Sequence, residues 1–325
     1  MASAKAHMAS NCARSLLTFF FAGLLPVIAQ TPPAIAEIRG GTFPDKWITG
    51  GPYCVEVPDW QVHEYNEDLF IIRESGCTDA EKPFLYLFFG KDRAMLQDTG
   101  AGPAETKRVV TAVISAWLKA HNRPSIPLVV AHSHSHGDHI AGDSQFKGLP
   151  AVTMVPLTVP GTAEFFGVRN WPTDTGQIDL GDRILDVIPI PGHDVLSLAL
   201  YDRQTGILFT GDSLYPGRIY VKDFEAFRAS TQRLVDFTHD RIVTHVLGCH
   251  IEQSITPYVD YPIGTRYAPY EAPAALSRAH LLEMNEALKD MNVSRDRKLL
   301  RDFTIWPIDA QHPFPHPHSV PNGKI

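Results

Sequence analysis

The stretch AHSHSHGDHI at residues 131–140 places four histidines and one aspartate directly after the apolar run 126–130. Imidazole together with carboxylate is a good ligand set for zinc. Loops at the ends of buried strands are where a rigid scaffold usually presents its chemistry. The stretch therefore predicts a strand that ends in a metal-binding loop, which limits the possible folds more than any other feature of the chain.

The spacing within this stretch predicts two points of convergence. Side chains two residues apart point the same way in an extended chain, so His134 and His136 can meet at one point. His132 is a candidate to extend that row. Gly137 then allows the chain to turn, and the two residues after it, Asp138 and His139, can face a second point.

Three later apolar runs end in the same manner. Each is followed by a glycine that permits a tight turn and then by a histidine or an aspartate. Residues 184–190 lead to His193, residues 207–210 lead to Asp212, and residues 242–247 lead to His250. One such strand end is a weak signal, but four of them in one chain predict a shared site.

The rest of the pattern mixes strands with amphipathic helices. Further apolar, β-rich runs occupy residues 69–73, 84–89, 94–97 and 196–201, and helical periodicity occupies residues 104–120, 224–237 and 272–291. This mixture indicates a layered α/β domain. Residues 37–68 are rich in Gly, Pro and Trp and predict an irregular N-terminal arm, while the Pro- and His-rich residues 307–325 predict an irregular tail.

The N-terminal 36 residues have the order of an export signal. Two basic residues precede a short apolar stretch, and Ala34-Ile35-Ala36 supplies the small-x-small pattern of a cleavage site. We therefore expect a mature protein in the periplasm or outside the cell, with no membrane segment after cleavage. In that oxidising setting Cys54 and Cys77 could pair, although the sequence leaves their geometry open.

The charge of the chain bears on its partners. The formal net charge is -7, and no basic run is present. An acidic chain of this kind argues against a nucleic-acid partner and favours a small-molecule substrate. The oligomeric state does not follow from the sequence.

The motifs together resemble those of the metallo-β-lactamase superfamily. Residues 134–139 match its HxHxDH signature, residues 193, 212 and 250 match its later ligand positions, and Gln97-Asp98-Thr99-Gly100 resembles the strand end that precedes the signature. The resemblance runs from about residue 65 to about residue 255. It implies a four-layer αββα sandwich with metals at one edge, which we expect within residues 69–306.

The resemblance also implies two zinc ions that share one bridging carboxylate and a bridging hydroxide, with iron or manganese as alternatives. The implied ligands are His134, His136 and His193 for one ion, Asp138, His139 and His250 for the other, and Asp212 for both. Asp138 is in addition a candidate proton shuttle.

The activity that the resemblance implies is hydrolysis of an ester, lactone, amide or related bond. True β-lactamases of this fold generally carry Cys or Ser where Asp212 stands, so this chain is more similar to the lactonases, glyoxalase II-type thioesterases and organophosphate hydrolases. Tyr215 lies three residues after Asp212, as in quorum-quenching lactonases, and is either a catalytic hydrogen-bond donor or a packed tyrosine. An iron-dependent oxygenase and a metal-binding protein without turnover are the competing hypotheses.

Overall fold

The computed structural model describes residues 1, 37–55, 57–291 and 296–308. The predicted export signal lies almost wholly outside the described residues, and so does the tail after residue 308. The predictions for these two segments stay predictions.

The described residues form fifteen strands, five α-helices and one short 3₁₀ helix at Asp143–Gln145. The helices are α1 (Thr106–Ala120), α2 (Gly137–Ile140), α3 (Val159–Phe166), α4 (Phe224–Phe237) and α5 (Arg278–Asp290). The strands are β1 (Trp60–Asn66), β2 (Leu69–Glu74), β3 (Phe84–Phe89), β4 (Ala94–Gln97), β5 (Leu128–Ala131), β6 (Val152–Met154), β7 (Gly176–Asp179), β8 (Ile184–Pro189), β9 (Leu198–Asp202), β10 (Ile207–Gly211), β11 (Arg218–Val221), β12 (His245–Gly248), β13 (Ala275–Leu276), β14 (Lys298–Leu299) and β15 (Thr304–Pro307).

Most of these strands form two mixed six-stranded sheets. The first sheet has the order β1-β2-β3-β4-β5-β6, and the second has the order β13-β12-β10-β9-β8-β7. Neighbouring strands are antiparallel except for β4, β5 and β6 in the first sheet and the pair of β10 with β12 in the second. Strands β11, β15 and β14 form a small third sheet.

Alternation of side chains along the strands divides the apolar core into three clusters. On β3, Tyr86 and Phe88 pack between the two sheets, whereas Leu85 and Leu87 pack under α1. The third cluster lies where α4 and α5 cover the outer face of the second sheet. Three clusters between four layers establish the predicted αββα sandwich, and strands buried on both faces appear in the sequence as continuous apolar runs.

The helix predictions are largely confirmed. Residues 104–120 contain α1, which buries Val110, Val113 and Trp117, and residues 224–237 coincide with α4. The predicted helix over 272–291 is shorter than expected. Its first residues are extended, because residues 275–276 pair with β12 before α5 begins at Arg278.

Two segments predicted to be irregular contain strands. Residues 60–66 of the predicted arm form β1, an edge strand that pairs with β2 and exposes one face, so its sequence lacks an apolar run. At the other end of the chain, Pro307 closes β15, which pairs in parallel with β11. Cys54 and Cys77 form a disulfide that ties the arm to the loop after β2.

The ends of five strands position the site. Strands β4, β5, β8, β10 and β12 each end shortly before one of the candidate residues or its support. Within the described part of the chain, the helices are too short or too polar to span a lipid bilayer.

Candidate metal centre

Three histidines from two loops converge at one end of the sandwich, and we call them group one. His134 and His136 follow β5, and His193 follows β8. The Nδ1 atom of His136 lies 3.0 Å from Nε2 of His134 and 2.9 Å from Nε2 of His193. Three ring nitrogens therefore face a common point.

Four further side chains form a second cluster beside it, which we call group two. It consists of Asp138, His139, Asp212 and His250. Oδ2 of Asp138 lies 3.1 Å from Nε2 of His139 and 3.3 Å from Nε2 of His250. Asp138 and His139 are carried by α2, the single helical turn that begins at Gly137.

Asp212 lies between the two groups. Its Oδ2 is 3.6 Å from Nε2 of His134 and 3.5 Å from Nε2 of His193, both in group one. Its Oδ1 is 3.5 Å from Nε2 of His139 and 3.3 Å from Nε2 of His250, both in group two. Each carboxylate oxygen thus serves a different group, which is the geometry that a bridging ligand requires.

The turn that presents Asp212 depends on the glycine before it. Gly211 has a φ of 53°, a left-handed conformation that glycine adopts without steric cost. A Cβ at this position would also lie 2.9 Å from Cβ of Ser133, on the loop that carries group one. Gly211 therefore lets the two loops approach closely enough to share one carboxylate.

Hydrogen bonds on the outer side of the rings orient the histidines. Nδ1 of His193 lies 2.7 Å from the carbonyl oxygen of Tyr220, and Nδ1 of His250 lies 2.9 Å from that of Glu81. A carbonyl oxygen only accepts, so each Nδ1 carries the proton and a neutral ring keeps its Nε2 lone pair directed into the centre.

Asp98 supports the centre from below, at the end of β4. Its Oδ2 accepts hydrogen bonds from Nδ1 of His139 at 3.0 Å, from Oγ of Ser133 at 2.8 Å and from Sγ of Cys249 at 3.4 Å. The strand end at residues 97–100 is recognisable in the sequence, but this role of the aspartate was not predicted from it. The available signal was a carboxylate at the end of a fifth strand.

The histidines of the two groups have pKa values that are shifted in opposite directions. Burial and neighbouring imidazoles hold the pKa of His134 well below its usual value, and burial, His193 and Lys222 lower the pKa of His136 to about 4. Burial would also lower the pKa of His139 and His250, but the carboxylates of group two outweigh it and hold both pKa values well above the usual range. Group one is therefore neutral at pH 7, whereas group two holds protons between its rings and its carboxylates.

These donors fit metal ions. In group one three ring nitrogens lie within hydrogen-bond distance of one another, so one cation placed between them could take the lone pairs of all three rings. In group two, Oδ1 of Asp212 is buried and has no hydrogen-bond partner among the described residues. Imidazole and carboxylate donors of this kind suit zinc and also other transition metals.

A cavity of about 470 Å³ opens onto both groups. Its lining comprises Glu81, His136, Gly137, Asp138, His193, Asp212, Tyr215, Tyr220, Lys222, His250, Glu252 and Ile308. Nζ of Lys222 lies 2.6 Å from Nε2 of His136, on the group-one side. The cavity is large enough for part of a small-molecule substrate.

Comparison with known proteins identifies the family of the chain. The family model described as "Metallo-beta-lactamase superfamily" matches residues 81–245, just over half of the chain. The chain belongs to the metallo-beta-lactamase superfamily.

Among curated members of the superfamily, the bovine acyl-coenzyme A thioesterase MBLAC2 is 23% identical over 228 residues, which cover 59% of this chain and 81% of that protein. The human MBLAC2 is 22% identical over the same shares. A hydroxyacylglutathione hydrolase from Nostoc punctiforme is 31% identical over 125 residues, which cover 35% of this chain and 44% of that enzyme.

Solved structures of the superfamily are more distant. A metallo-beta-lactamase from Pontibacter korlensis is 19% identical with a TM-score of 0.46, covering 71% of this chain and 99% of that one. ETHE1 from Myxococcus xanthus is 19% identical with a TM-score of 0.43, covering 69% and 92% of the two chains. Both scores lie below 0.5, so the superpositions add nothing to the family assignment.

The structure brings together all seven side chains that the superfamily motif implies as ligands. Two other candidates lie differently. His132 points away from group one and pairs through Nε2 with Asp143 at 2.8 Å. Tyr215 lies in the cavity wall with its ring against His250, but its hydroxyl donates to the carbonyl oxygen of Arg218 and is not directed at the ligand groups.

Proposed function

We propose that this protein is a metal-dependent hydrolase that holds two zinc ions and cleaves a thioester or a related carboxylic ester. The observation that carries the proposal is the position of Asp212, whose two oxygens face separate ligand groups and whose Oδ1 has no other partner among the described residues. A purely structural zinc site does not need a second ion or an open cavity above it.

Different residues of the chain would bind the two ions, set the distance between them and transfer a proton. The histidines of group one and the side chains of group two would hold one ion each, and Asp212 would set the distance between them. Two ions in such a site lower the pKa of a water molecule and polarise the bond that is attacked. Asp138, which lines the cavity, is positioned to receive and return a proton.

The preference for thioesters rests on two supports. Several similar superfamily members are named as thioesterases or as hydroxyacylglutathione hydrolases. In addition, an aspartate stands at residue 212, where β-lactamases of this fold generally have Cys or Ser, which argues against a β-lactam substrate but leaves lactones and phosphotriesters open. Lactones, β-lactams and phosphotriesters are therefore the comparison substrates.

The test combines metal analysis with a substrate panel on purified protein. We expect about two zinc ions per chain, and hydrolysis of simple thioesters in preference to lactones, β-lactams and phosphotriesters. The exposed His239→Ala variant is the control, because its imidazole belongs to neither group, and it should keep the wild-type metal content. One iron ion and no zinc would contradict the proposal and favour an oxygenase.

We also propose that residues 1–36 direct export and are removed, so that the enzyme works in the periplasm or outside the cell. The support is the order of basic residues, apolar stretch and Ala34-Ile35-Ala36. The intact mass of protein from its native host should correspond to a chain that begins near Glu37. A retained N-terminus would instead indicate a membrane anchor.

A further inference from the structure

A glutamate of the cavity wall lies beside a histidine of group two. Glu81 lies in the loop before β3, and its backbone carbonyl accepts the Nδ1 proton of the group-two ligand His250. Its carboxylate lines the cavity above the metal centre. Within residues 37–55, 57–291 and 296–308, this carboxylate makes no hydrogen bond or ion pair.

The neighbouring charges are already matched. The carboxylate of Glu252 accepts from both Nη2 and the backbone N–H of Arg218, each at 2.7 Å. Nζ of Lys82 turns away to the carbonyl oxygen of Thr265 at 2.7 Å and to Glu271 at 3.7 Å. Neither Arg218 nor Lys82 therefore pairs with Glu81.

The cavity is also electrically asymmetric. Lys222 contacts His136 on the group-one side, whereas Glu81 adjoins His250 on the group-two side. The carboxylates of group two have the rings of His139 and His250, and on the proposed function a metal ion, to balance them. On this side a bound substrate would therefore meet the carboxylate of Glu81, which makes no hydrogen bond or ion pair among the described residues.

We propose that Glu81 determines specificity by recognising a positively charged group of the substrate, an ammonium or quaternary ammonium placed over the His250 side of the cavity. This inference rests on the proposed thioester hydrolysis and names the class of substrate for it. Charge complementarity of this kind selects among ligands and steers their approach. The cation can belong either to the acyl part or to the thiol part, and the experiment separates the two.

The test uses two pairs of thioesters that differ only in charge. In one pair the thiol part is thiocholine or its uncharged isostere, in which tert-butyl replaces trimethylammonium. In the other pair the acyl chain ends in the same two groups. The assay is run at pH 8, well above the usual pKa of a glutamate carboxyl, which is about 4.3.

The quantity measured is the kcat/KM ratio of the charged substrate to its isostere. We expect a ratio of about ten in at least one pair, which is the scale of a single charge pair between exposed and buried. Glu81→Gln should bring the ratio close to one, and Glu81→Lys should invert it. Raised salt should reduce the wild-type ratio, since partly exposed charges are screened.

Glu164→Gln is the matched control, because Glu164 is an exposed glutamate on α3, away from the cavity. It should leave both ratios unchanged. Circular dichroism and metal content identify a variant that fails to fold, and the second Glu81 substitution then decides the question. A wild-type ratio near one in both pairs, or equal falls in Glu81→Gln and Glu164→Gln, would overturn the proposal.

Binding of choline by calorimetry tests Glu81 separately from turnover. Wild-type protein should bind choline, and Glu81→Gln should bind it about tenfold more weakly. If wild-type protein hydrolyses no thioester but shows this difference, the proposed reaction is wrong and the cation site stands. If the isosteres are hydrolysed and choline binds equally to both proteins, the reaction stands and the cation site is wrong.

Discussion

The two ligand groups lie side by side and share Asp212, yet they differ in charge and in support. Group one consists of three imidazoles, and one of them, His136, is partly exposed beside Lys222. Group two contains two carboxylates and is tied through His139 to the buried Asp98.

This difference should make the two groups hold their ions with different strength. Group one offers an ion three neutral imidazoles and one oxygen of the shared Asp212, beside a lysine, so it compensates less of a divalent charge and leaves the ion open to exchange. A site with two carboxylates compensates the charge of the ion and is held by hydrogen bonds behind it. We therefore expect group two to bind its ion more firmly at neutral pH once its protons have been displaced.

The largest effect is expected where the two groups are joined. Asp212→Ala removes a donor from both groups at once, so both metal sites and their spacing should fail together. We expect loss of at least one ion per chain and a fall in kcat beyond the about 10²–10³-fold cost of removing one hydrogen-bond donor in an active site. Elemental analysis and steady-state rates measure it, with circular dichroism to verify folding. Full metal content with near-normal turnover would contradict the bridging role.

The pH dependence of metal loading should separate the groups. Because the pKa values of His139 and His250 are held well above their usual values, loading group two must release protons, whereas group one is already neutral. We expect affinity for the group-two ion to rise with pH by up to about 100-fold per unit if both rings lose a proton. Titration calorimetry in buffers of different ionisation enthalpy counts the protons. If binding of each ion released the same number of protons, the proposed difference in protonation between the two groups would be wrong.

The same pKa values predict how the stability of the ion-free protein changes with pH. A raised folded-state pKa means that charged His139 and His250 stabilise the ion-free fold below about pH 6.5, the unfolded-state value. That contribution is lost as pH rises through the folded-state pKa values. Metal loading should replace it, so the stabilising effect of added zinc should grow with pH.

A smaller effect is expected from the support beneath group two. Asp98→Asn keeps the shape of the side chain but weakens its acceptance of the His139 proton. Loss of such outer partners typically costs about 10–100-fold in metal affinity. Group two should lose affinity more than group one, as measured by competition with a chelator. Equal losses would show that Asp98 supports the whole centre, through Ser133 as well as His139.

The smallest effect is expected from Tyr215→Phe. The hydroxyl of Tyr215 donates to the Arg218 carbonyl oxygen, so it has no proton left for charge that develops at the substrate. We expect less than the about 10²-fold loss that removal of a catalytic donor causes. Rates on the full thioester and lactone panel measure it. A loss of 10²-fold or more at unchanged metal content would restore the catalytic hypothesis for this tyrosine.

Prediction from sequence was strongest where the signal is local. Apolar runs predict buried strands and apolar periodicity predicts amphipathic helices, as for β3 and α4. It was weakest where pairing with a distant segment decides the structure. Strand β1 has few apolar residues because one of its faces is exposed, and β15 exists because β11 lies beside it.

The donor atoms and their strand-end positions could be predicted from the sequence, because ligand chemistry and glycine turns are properties of neighbouring residues. The way the donors are shared depends on contacts between distant segments. Asp212 faces both groups because Gly211 lets two loops from different sheets meet. Glu81 lies in the cavity wall because its carbonyl binds His250, 169 residues away, and no local pattern encodes a contact over that separation.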